Sequence, residues 1–330
     1  MLDIEVEQER NSGFAEKLTN PVLGFNCSLR SINLLAALCH LLLLIYLCIT
    51  AETEDIDANV TLLRPYNYWK NSTDRCGYWP LVGTAASSQL NLFTLLVFFT
   101  VVTVLAHFFY AFYDGYIEMV KEGLNPFRWL EYSLSASAMI VILAVLASIR
   151  WVSTILLIFF TTFAQMIFGY IVEFGLVNGD NTMVAIGMLT GWCLYVIVWG
   201  VIIGSFYTTI GDSEDNVDFC QGPGINFTPN RFQNRGGMPE EIKHLIWAVC
   251  GFFGSFGVNN LVQVYKGIKN DASYNFAIFE FVYIILSLSC KSLLIIWCGS
   301  SIFLGKLRWL QGCPTGEADL TQCRILFERS

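Results

Sequence analysis

Long apolar runs restrict what this chain can fold into more than any other feature of the sequence. A helix needs about 20 consecutive apolar residues to cross the hydrocarbon core of a bilayer, and several runs reach that length. These runs lack the alternation of apolar and polar residues that a membrane β-barrel requires. Only 14% of all residues are charged, against roughly 25% in a soluble domain. The sequence therefore predicts an all-α protein that crosses the membrane several times.

Seven runs are predicted to be membrane-spanning helices that form one bundle. They cover residues 30–50, 88–112, 126–149, 152–175, 182–207, 241–264 and 274–303. This division leaves an N-terminal tail (1–29), a seven-helix domain (30–303) and a C-terminal tail (304–330). Two connections, 51–87 and 208–240, are long. Both are expected on the same side of the membrane, because an even number of spans separates them.

Glycosylation sequons indicate which side holds the two long loops. The sequence Asn-X-Ser/Thr begins at Asn59 and Asn71 in the first long loop and at Asn226 in the second. Such sequons are used only outside the cytoplasm. We therefore expect a cytoplasmic N-terminus and a C-terminus that is extracellular or lumenal. Lysine and arginine do not cluster on one face, so the positive-inside rule adds little.

Charge and motif content exclude several other classes of protein. The net charge of -8 disfavours nucleic acid as a partner. We find no metal-binding Cys/His spacing, no Ser/His/Asp set and no phosphate loop, so neither a metal site nor catalysis is indicated. Four cysteines in polar segments could form disulfides on the outer side, in a pairing that the sequence leaves open: Cys76, Cys220, Cys313 and Cys323.

Lys291 is the most informative residue in the predicted spans. Apolar residues surround it in the string FVYIILSLSCKSLLIIWCGSSIFL. A charged lysine at the centre of a bilayer costs roughly 2.5–3.5 kcal/mol on insertion scales. A carboxylate partner or a covalent bond would offset that cost, and a desolvated amine is a good nucleophile towards an aldehyde. The alternative is an ion pair that serves packing alone.

Glu131 is the predicted partner of Lys291. It lies near the start of the third span, three residues after Arg128. One interpretation makes it the anion beside the lysine nitrogen, and the other makes it half of an interfacial ion pair with Arg128. The first interpretation requires the seventh helix to begin below the membrane surface, with Glu280 near the interface.

Further polar residues in the spans could complete a pocket around Lys291. Ser287 precedes the lysine by one helical turn, so both face the same direction. His40 and His107 lie in the first and second spans, and Thr103 precedes His107 by one turn. The histidines could accept or relay a proton. Alternatively, each is a hydrogen-bonded group of an ordinary core.

Two weaker signals concern the remaining walls of such a pocket. Glu173 ends the fourth span, where it could belong to a proton path or be a simple interfacial charge. Trp192, Tyr195 and Trp199 recur at helical spacing in the fifth span. They could enclose an elongated apolar ligand, although aromatic stripes also serve packing and interfacial belts.

Two strings in these spans resemble signatures of the heliorhodopsins. RWLEYSLSAS (128–137) is similar to their third helix and SLSCKSLL (287–294) to their seventh. The preceding NPFR, the histidines of the first two spans and FGYIVEFGLVN (168–178) also resemble that family. Two positions depart from the family pattern. Leu43 stands where the family often has a glutamine, and Trp297 lies one position later than the family's tryptophan.

The resemblance implies a ligand and residue roles. It implies all-trans-retinal bound covalently to Lys291 as a Schiff base, with Glu131 as the counterion. It assigns His40, His107 and Ser287 to a polar cavity, and where ion-pumping rhodopsins carry an aspartate this chain has Ser287. It also implies an inverted topology with a cytoplasmic N-terminus, a small β-structure in the first long loop, and a homodimer in the lipid bilayer.

Three functions are compatible with these features. The first is a photoreceptor in which light isomerises retinal and the helices signal to an unknown partner. The second is a light-gated passive conductor of protons, with Glu131 and Glu173 on its path. The third is a retinal-free receptor or transporter in which Lys291 and Glu131 form a plain buried ion pair.

Overall fold

A computed structural model describes residues 29–54, 59–66, 83–215, 240–269, 271 and 274–299. Within these residues, seven helices are long and apolar enough to cross a membrane, which confirms the predicted bundle. The elements are α1 (Leu29–Glu54), β1 (Asn59–Tyr66), β2 (Gly83–Asn91), α2 (Leu92–Phe112), α3 (Gly115–Glu122), α4 (Pro126–Leu146), α5 (Val152–Val177), α6 (Asn181–Asp215), α7 (Glu240–Ile268) and α8 (Phe276–Trp297). The protein is therefore a multi-pass membrane protein.

The seven long helices pack in a closed ring with α4 at its most enclosed position. Neighbouring helices touch in the order α1, α2, α4, α5, α6, α7 and α8, and α8 returns to α1. In α4, 89% of the residues in the most apolar 18-residue stretch are buried. The same fraction is 50% or less in each of the other six long helices. Functional side chains on α4 therefore face protein rather than lipid.

Asparagine side chains begin three of these helices and fix their register. The Oδ1 atoms of Asn91, Asn125 and Asn275 accept hydrogen bonds from backbone N–H groups in the first turns of α2, α4 and α8. Pro126 follows Asn125 at the first helical position, as the sequence predicts. The cap of α8 is Asn275.

Some boundaries differ from the predicted spans for local reasons. Residues 88–91 belong to β2, because Asn91 ends the strand and caps α2. The helix of the third span ends at Leu146 rather than at 149, and Ser148 follows with a positive φ of 66°. Helix α3 lies in a connection where no helix was predicted. Helix α8 is described as far as Trp297, and residues 300–303 of the predicted seventh span lie outside the described residues.

The first long loop contains the small β-structure that was expected. Strands β1 and β2 pair antiparallel, from Asn59 opposite Asn91 to Tyr66 opposite Gly83. The backbone N–H of Leu63 donates to the carbonyl of Arg150 at 2.8 Å, which fastens this hairpin to the turn between α4 and α5. Asn59 lies in β1, while two sequons and four cysteines fall outside the described residues: Asn71, Asn226, Cys76, Cys220, Cys313 and Cys323.

Candidate functional site: a buried lysine beside an apolar cavity

The Lys291 side chain is buried in the bundle and bonded to two polar groups. Its Nζ donates to Glu131 Oε1 at 2.5 Å and to Thr103 Oγ1 at 2.7 Å. The Thr103 hydroxyl in turn donates to the same Glu131 oxygen at 2.9 Å. Lys291 is 3% exposed and Glu131 is 6% exposed. The structure therefore brings together the amine and the carboxylate that the sequence pairs, with a threonine hydroxyl between them.

The alternative interpretation, in which Glu131 forms an ion pair with Arg128, is wrong. The Arg128 guanidinium instead forms salt bridges with Glu173 of α5 and Glu280 of α8. All three side chains are almost fully buried, so Glu173 and Glu280 are paired charges inside the bundle and not solvent-exposed ones. Because the Arg128 guanidinium pairs with Glu173 and Glu280, Glu131 forms its ion pair with Lys291.

The ion pairs of Arg128 extend into what we call the Arg128 cluster: Arg128, Glu173, Glu280 and Asn125. The Asn125 side chain donates to Glu280 Oε1 at 2.7 Å, and its backbone N–H donates to Glu173 Oε2 at 3.4 Å. The guanidinium also lies 4.2 Å from the ring centroid of Tyr283, within range of a cation–π interaction. The cluster therefore joins α4, α5 and α8 at the end of the bundle where α4 begins.

The two histidines lie together on α1 and α2, as the polar-pocket prediction requires. Their rings stack at a centroid distance of 5.7 Å, and both are buried. His107 lies one turn after Thr103, so it faces the side of α2 that contacts Lys291. His107 Nδ1 is bonded to Asn33 Oδ1 at 2.8 Å. Among the described residues, neither ring nitrogen of His40 has a hydrogen-bond partner.

An apolar cavity opens beside Lys291. Ser287 lies on its wall, one turn before the lysine, as the helical spacing predicts. The lining is otherwise mostly apolar and comes from α4, α5, α7 and α8: Tyr132, Ser135, Ala136, Met139, Met166, Phe253, Phe256, Ser287, Cys290 and Lys291. An apolar cavity with a few polar groups at one end is typical of a ligand site.

A second cavity, which Lys291 does not line, lies next to the first. Met166, Phe253 and Phe256 border both cavities. Trp192 and Tyr195 line it, as predicted for walls of an elongated ligand site. Trp199 does not line either cavity. It packs edge-on against Phe253, with ring centroids 5.9 Å apart, and so belongs to the shell behind the wall.

Sequence reasoning missed several polar residues of the site. Asn33 and Tyr116 connect His107 to Glu280, and Asn125 holds both carboxylates of the Arg128 cluster. One signal was present for Asn33. It precedes His40 by seven residues, which is two helical turns, and so lies on the same face of α1. For Tyr116 there was no such signal, because it lies in the unpredicted helix α3.

The fold and the site define a class of protein: a seven-helix membrane protein with a buried lysine beside an apolar cavity. The sequence profile of the heliorhodopsin family matches residues 29–221. That match covers more than half of the chain, so the protein belongs to the heliorhodopsin family. It is accordingly a retinal-binding, light-sensing membrane protein. A comparison with curated proteins gave no match.

The family match covers only part of the site. The matched residues include Glu131 and Glu173 but end before α7 and α8. The residues next to Lys291 nevertheless suit a retinal chromophore, because the amine is buried, a carboxylate faces it, and an apolar space adjoins it. Retinal is an elongated apolar aldehyde, so the residues present fit that group.

Proposed function

We propose that this protein is a photoreceptor that holds all-trans-retinal on Lys291, with Glu131 as the counterion. The observation that carries the proposal is the Lys291–Glu131 pair at the mouth of the apolar cavity. Ionisable groups inside membrane spans are expensive and mark functional sites, including the counterions of retinal. A plain structural ion pair explains the two charges but gives no reason for the adjoining cavity.

The residues around Lys291 suit the formation of a covalent linkage. Its amine would condense with the aldehyde, which releases one water molecule and leaves the linkage nitrogen in the place of Nζ. Glu131 and Thr103 would then face that nitrogen and hold its proton. Retinal supplies the absorption of visible light and an isomerisation that displaces charge. The chain's own residues provide the anion, the bridging hydroxyl and the apolar walls that exclude water.

A titration with retinal tests the proposal. Purified protein is mixed with all-trans-retinal and its visible absorption is recorded, together with Lys291→Ala and Lys269→Ala. Lys269 is a matched control, because its ammonium is exposed and bonded to Tyr265 at the end of α7. We expect a visible band in the wild type and in Lys269→Ala, and none in Lys291→Ala. A band that survives Lys291→Ala would overturn the assignment.

Passive proton conduction in the light is the second candidate. Buried hydrogen-bonded groups at the end where α4 begins extend from Tyr116 through Glu280 and Asn125 to Glu173, and they favour this candidate. The second half of α4, from Ala138 to Leu146, consists of buried apolar residues and favours sensing. We therefore expect no photocurrent under voltage clamp. A current that reverses with the proton gradient would support conduction instead.

We further propose a cytoplasmic N-terminus, a homodimer in the bilayer, and a signalling partner that binds a surface moved by light. The sequon in the hairpin supports the orientation, since Asn59 lies on the exposed side of β1. Glycosidase treatment of protein from eukaryotic cells, with Asn59→Gln as control, tests the orientation. Light scattering of the detergent-solubilised protein tests the dimer.

A further inference from the structure

A chain of hydrogen bonds connects the histidine pair to the Arg128 cluster. His107 Nδ1 is bonded to Asn33 Oδ1 at 2.8 Å, and Asn33 Nδ2 is bonded to the Tyr116 hydroxyl at 3.1 Å. The Tyr116 hydroxyl is bonded to Glu280 Oε1 at 3.3 Å. All four side chains are buried. Three helices that carry parts of the site, α1, α2 and α8, are thereby linked through α3.

The direction of each hydrogen bond in this chain follows from one backbone carbonyl. The carbonyl of Leu29 lies 3.0 Å from the Asn33 amide and can only accept. The amide nitrogen of Asn33 must therefore face Leu29 and Tyr116, which leaves its oxygen facing His107. An amide oxygen can only accept, so His107 Nδ1 carries a proton and donates.

The same reasoning fixes the far end of the chain. Asn33 Nδ2 donates to the Tyr116 oxygen, which leaves the hydroxyl proton of Tyr116 for Glu280. Burial raises the pKa of Tyr116, so its hydroxyl keeps that proton. Every bond in the chain then points from His107 towards the carboxylate of Glu280. Aligned hydrogen bonds polarise one another in a medium of low dielectric.

This arrangement leaves His107 Nε2 as an acceptor. A neutral imidazole that donates from Nδ1 carries a lone pair on Nε2. His107 Nε2 is buried and has no hydrogen-bond partner among the described residues. It belongs to a ring that is one turn from Thr103, the residue bonded to both Lys291 and Glu131.

We propose that Asn33 and Tyr116 are positioning residues: Asn33 holds His107 in the Nδ1–H tautomer, and Tyr116 carries a charge change at His107 to Glu280. This inference rests on the proposed function. A proton that moved from the linkage nitrogen on Lys291 to Nε2 would make His107 a cation that still donates from Nδ1. The positive charge strengthens each bond along the chain and pulls Glu280 towards Tyr116 and away from Arg128. No proton passes through the Asn33 amide.

The tautomer of His107 can be measured without retinal. The chain has three histidines, His40, His107 and His244, so nitrogen-15 labelling of histidine gives a spectrum that single variants assign. Solid-state NMR of the wild type should show a neutral His107 protonated at Nδ1. In Asn33→Leu the Nδ1–H form of His107 should no longer predominate, because leucine cannot accept a hydrogen bond. In Asn33→Asp this form should still predominate, because the carboxylate accepts the same hydrogen bond. An Nε2–H form of His107 in the wild type would overturn the proposal.

The coupling to Glu280 is measured on the retinal-bound protein, called the pigment below, by infrared difference spectroscopy. We expect a light-induced change in a carboxylate stretch that disappears in Glu280→Gln. In Tyr116→Phe and Asn33→Asp this change should fall severalfold, because aspartate at position 33 takes the Tyr116 proton away from Glu280. Tyr110→Phe is the matched control and should leave the change intact. Tyr110 is a buried neighbour of both His107 and Tyr116, with ring centroids at 6.1 Å and 5.2 Å, but its hydroxyl is not in the chain.

The outcomes separate this proposal from the proposed function. If no visible band forms with retinal, the photoreceptor proposal fails, while the tautomer measurement still stands by itself. If the band forms but the Glu280 signal is equally strong in Tyr116→Phe and in the wild type, the coupling is refuted and the photoreceptor remains.

Discussion

Gly169 of α5 lies so close to the indole ring of Trp129 on α4 that a methyl group at position 169 would overlap the ring. The absence of a side chain on one helix therefore makes room for the largest side chain on the other. Both residues line the second cavity, so this contact sets one of its walls. The shape of the cavity depends on Gly169 as much as on the aromatic residues.

Gly169→Ala should displace the Trp129 ring and disturb the cavity. Overpacking of this kind costs about 1–3 kcal/mol, and we expect a lower thermal stability and a reduced yield of pigment in a retinal titration. Gly191→Ala is the matched control. Gly191 lines the same cavity, but its nearest neighbour would lie 3.9 Å from an added methyl group, at Phe168. Equal behaviour of the two variants would argue against a steric role for Gly169.

Glu131→Gln should move the visible band to longer wavelength. A carboxylate next to the linkage nitrogen stabilises its positive charge in the dark state, and a neutral amide removes that stabilisation. The measurement is an absorption spectrum of each pigment at the same pH. Glu118→Gln is the control, because Glu118 lies on an exposed face of α3. If the band of Glu131→Gln coincides with that of the wild type, Glu131 is not the counterion.

Thr103→Val should destabilise the retinal-free protein. Valine has a similar shape but no hydroxyl, so Lys291 and Glu131 each lose a hydrogen-bond partner in a buried site. An unsatisfied buried group costs about 1–3 kcal/mol. Thermal unfolding in detergent should show a clear loss for Thr103→Val and little loss for Thr103→Ser. Thr100→Val supplies the control one turn away, since the Thr100 hydroxyl bonds only to the carbonyl of Leu96 in its own helix.

Arg128→Met should be strongly destabilising, because it leaves Glu173 and Glu280 buried without their cation. Removal of one partner from a buried ion pair costs about 3–5 kcal/mol. Adding Glu173→Gln and Glu280→Gln to the same chain should restore much of the loss. The exposed pair of Arg30 with Asp114 is the comparison, and Arg30→Ala should change stability little. An Arg128→Met protein as stable as the wild type would contradict this account of the cluster.

The bundle was predictable because the membrane imposes a length on each apolar run. Asn125-Pro126 even gave the first residue of a helix, since both residue types act through local backbone geometry. The boundary near residue 88 failed for a tertiary reason, because residues 88–91 pair with β1 and Asn91 caps the next helix. Helix α3 was missed, since it is short and lacks the apolar length on which the prediction relied.

The ion pairs of the site could be predicted where a buried charge had few possible partners of opposite charge. Lys291 needed a carboxylate in the spans, and Glu131 was within reach. Arg128 had three acidic residues to choose from, and its sequence neighbour was the wrong one. Long side chains on packed helices meet according to helix rotation and tilt, which a single sequence does not encode in its spacing.

The hydrogen bond between Leu63 and Arg150 attaches the β-hairpin to the turn that follows α4. Glu131 lies near the beginning of α4, and the turn that holds the β-hairpin follows the end of the same helix. Because α4 is a continuous helix, a displacement of its first turns also displaces the turn that follows its last residue. Illumination of the chromophore should therefore alter amide hydrogen exchange in β1, at a water-exposed surface that a soluble binding partner could sense.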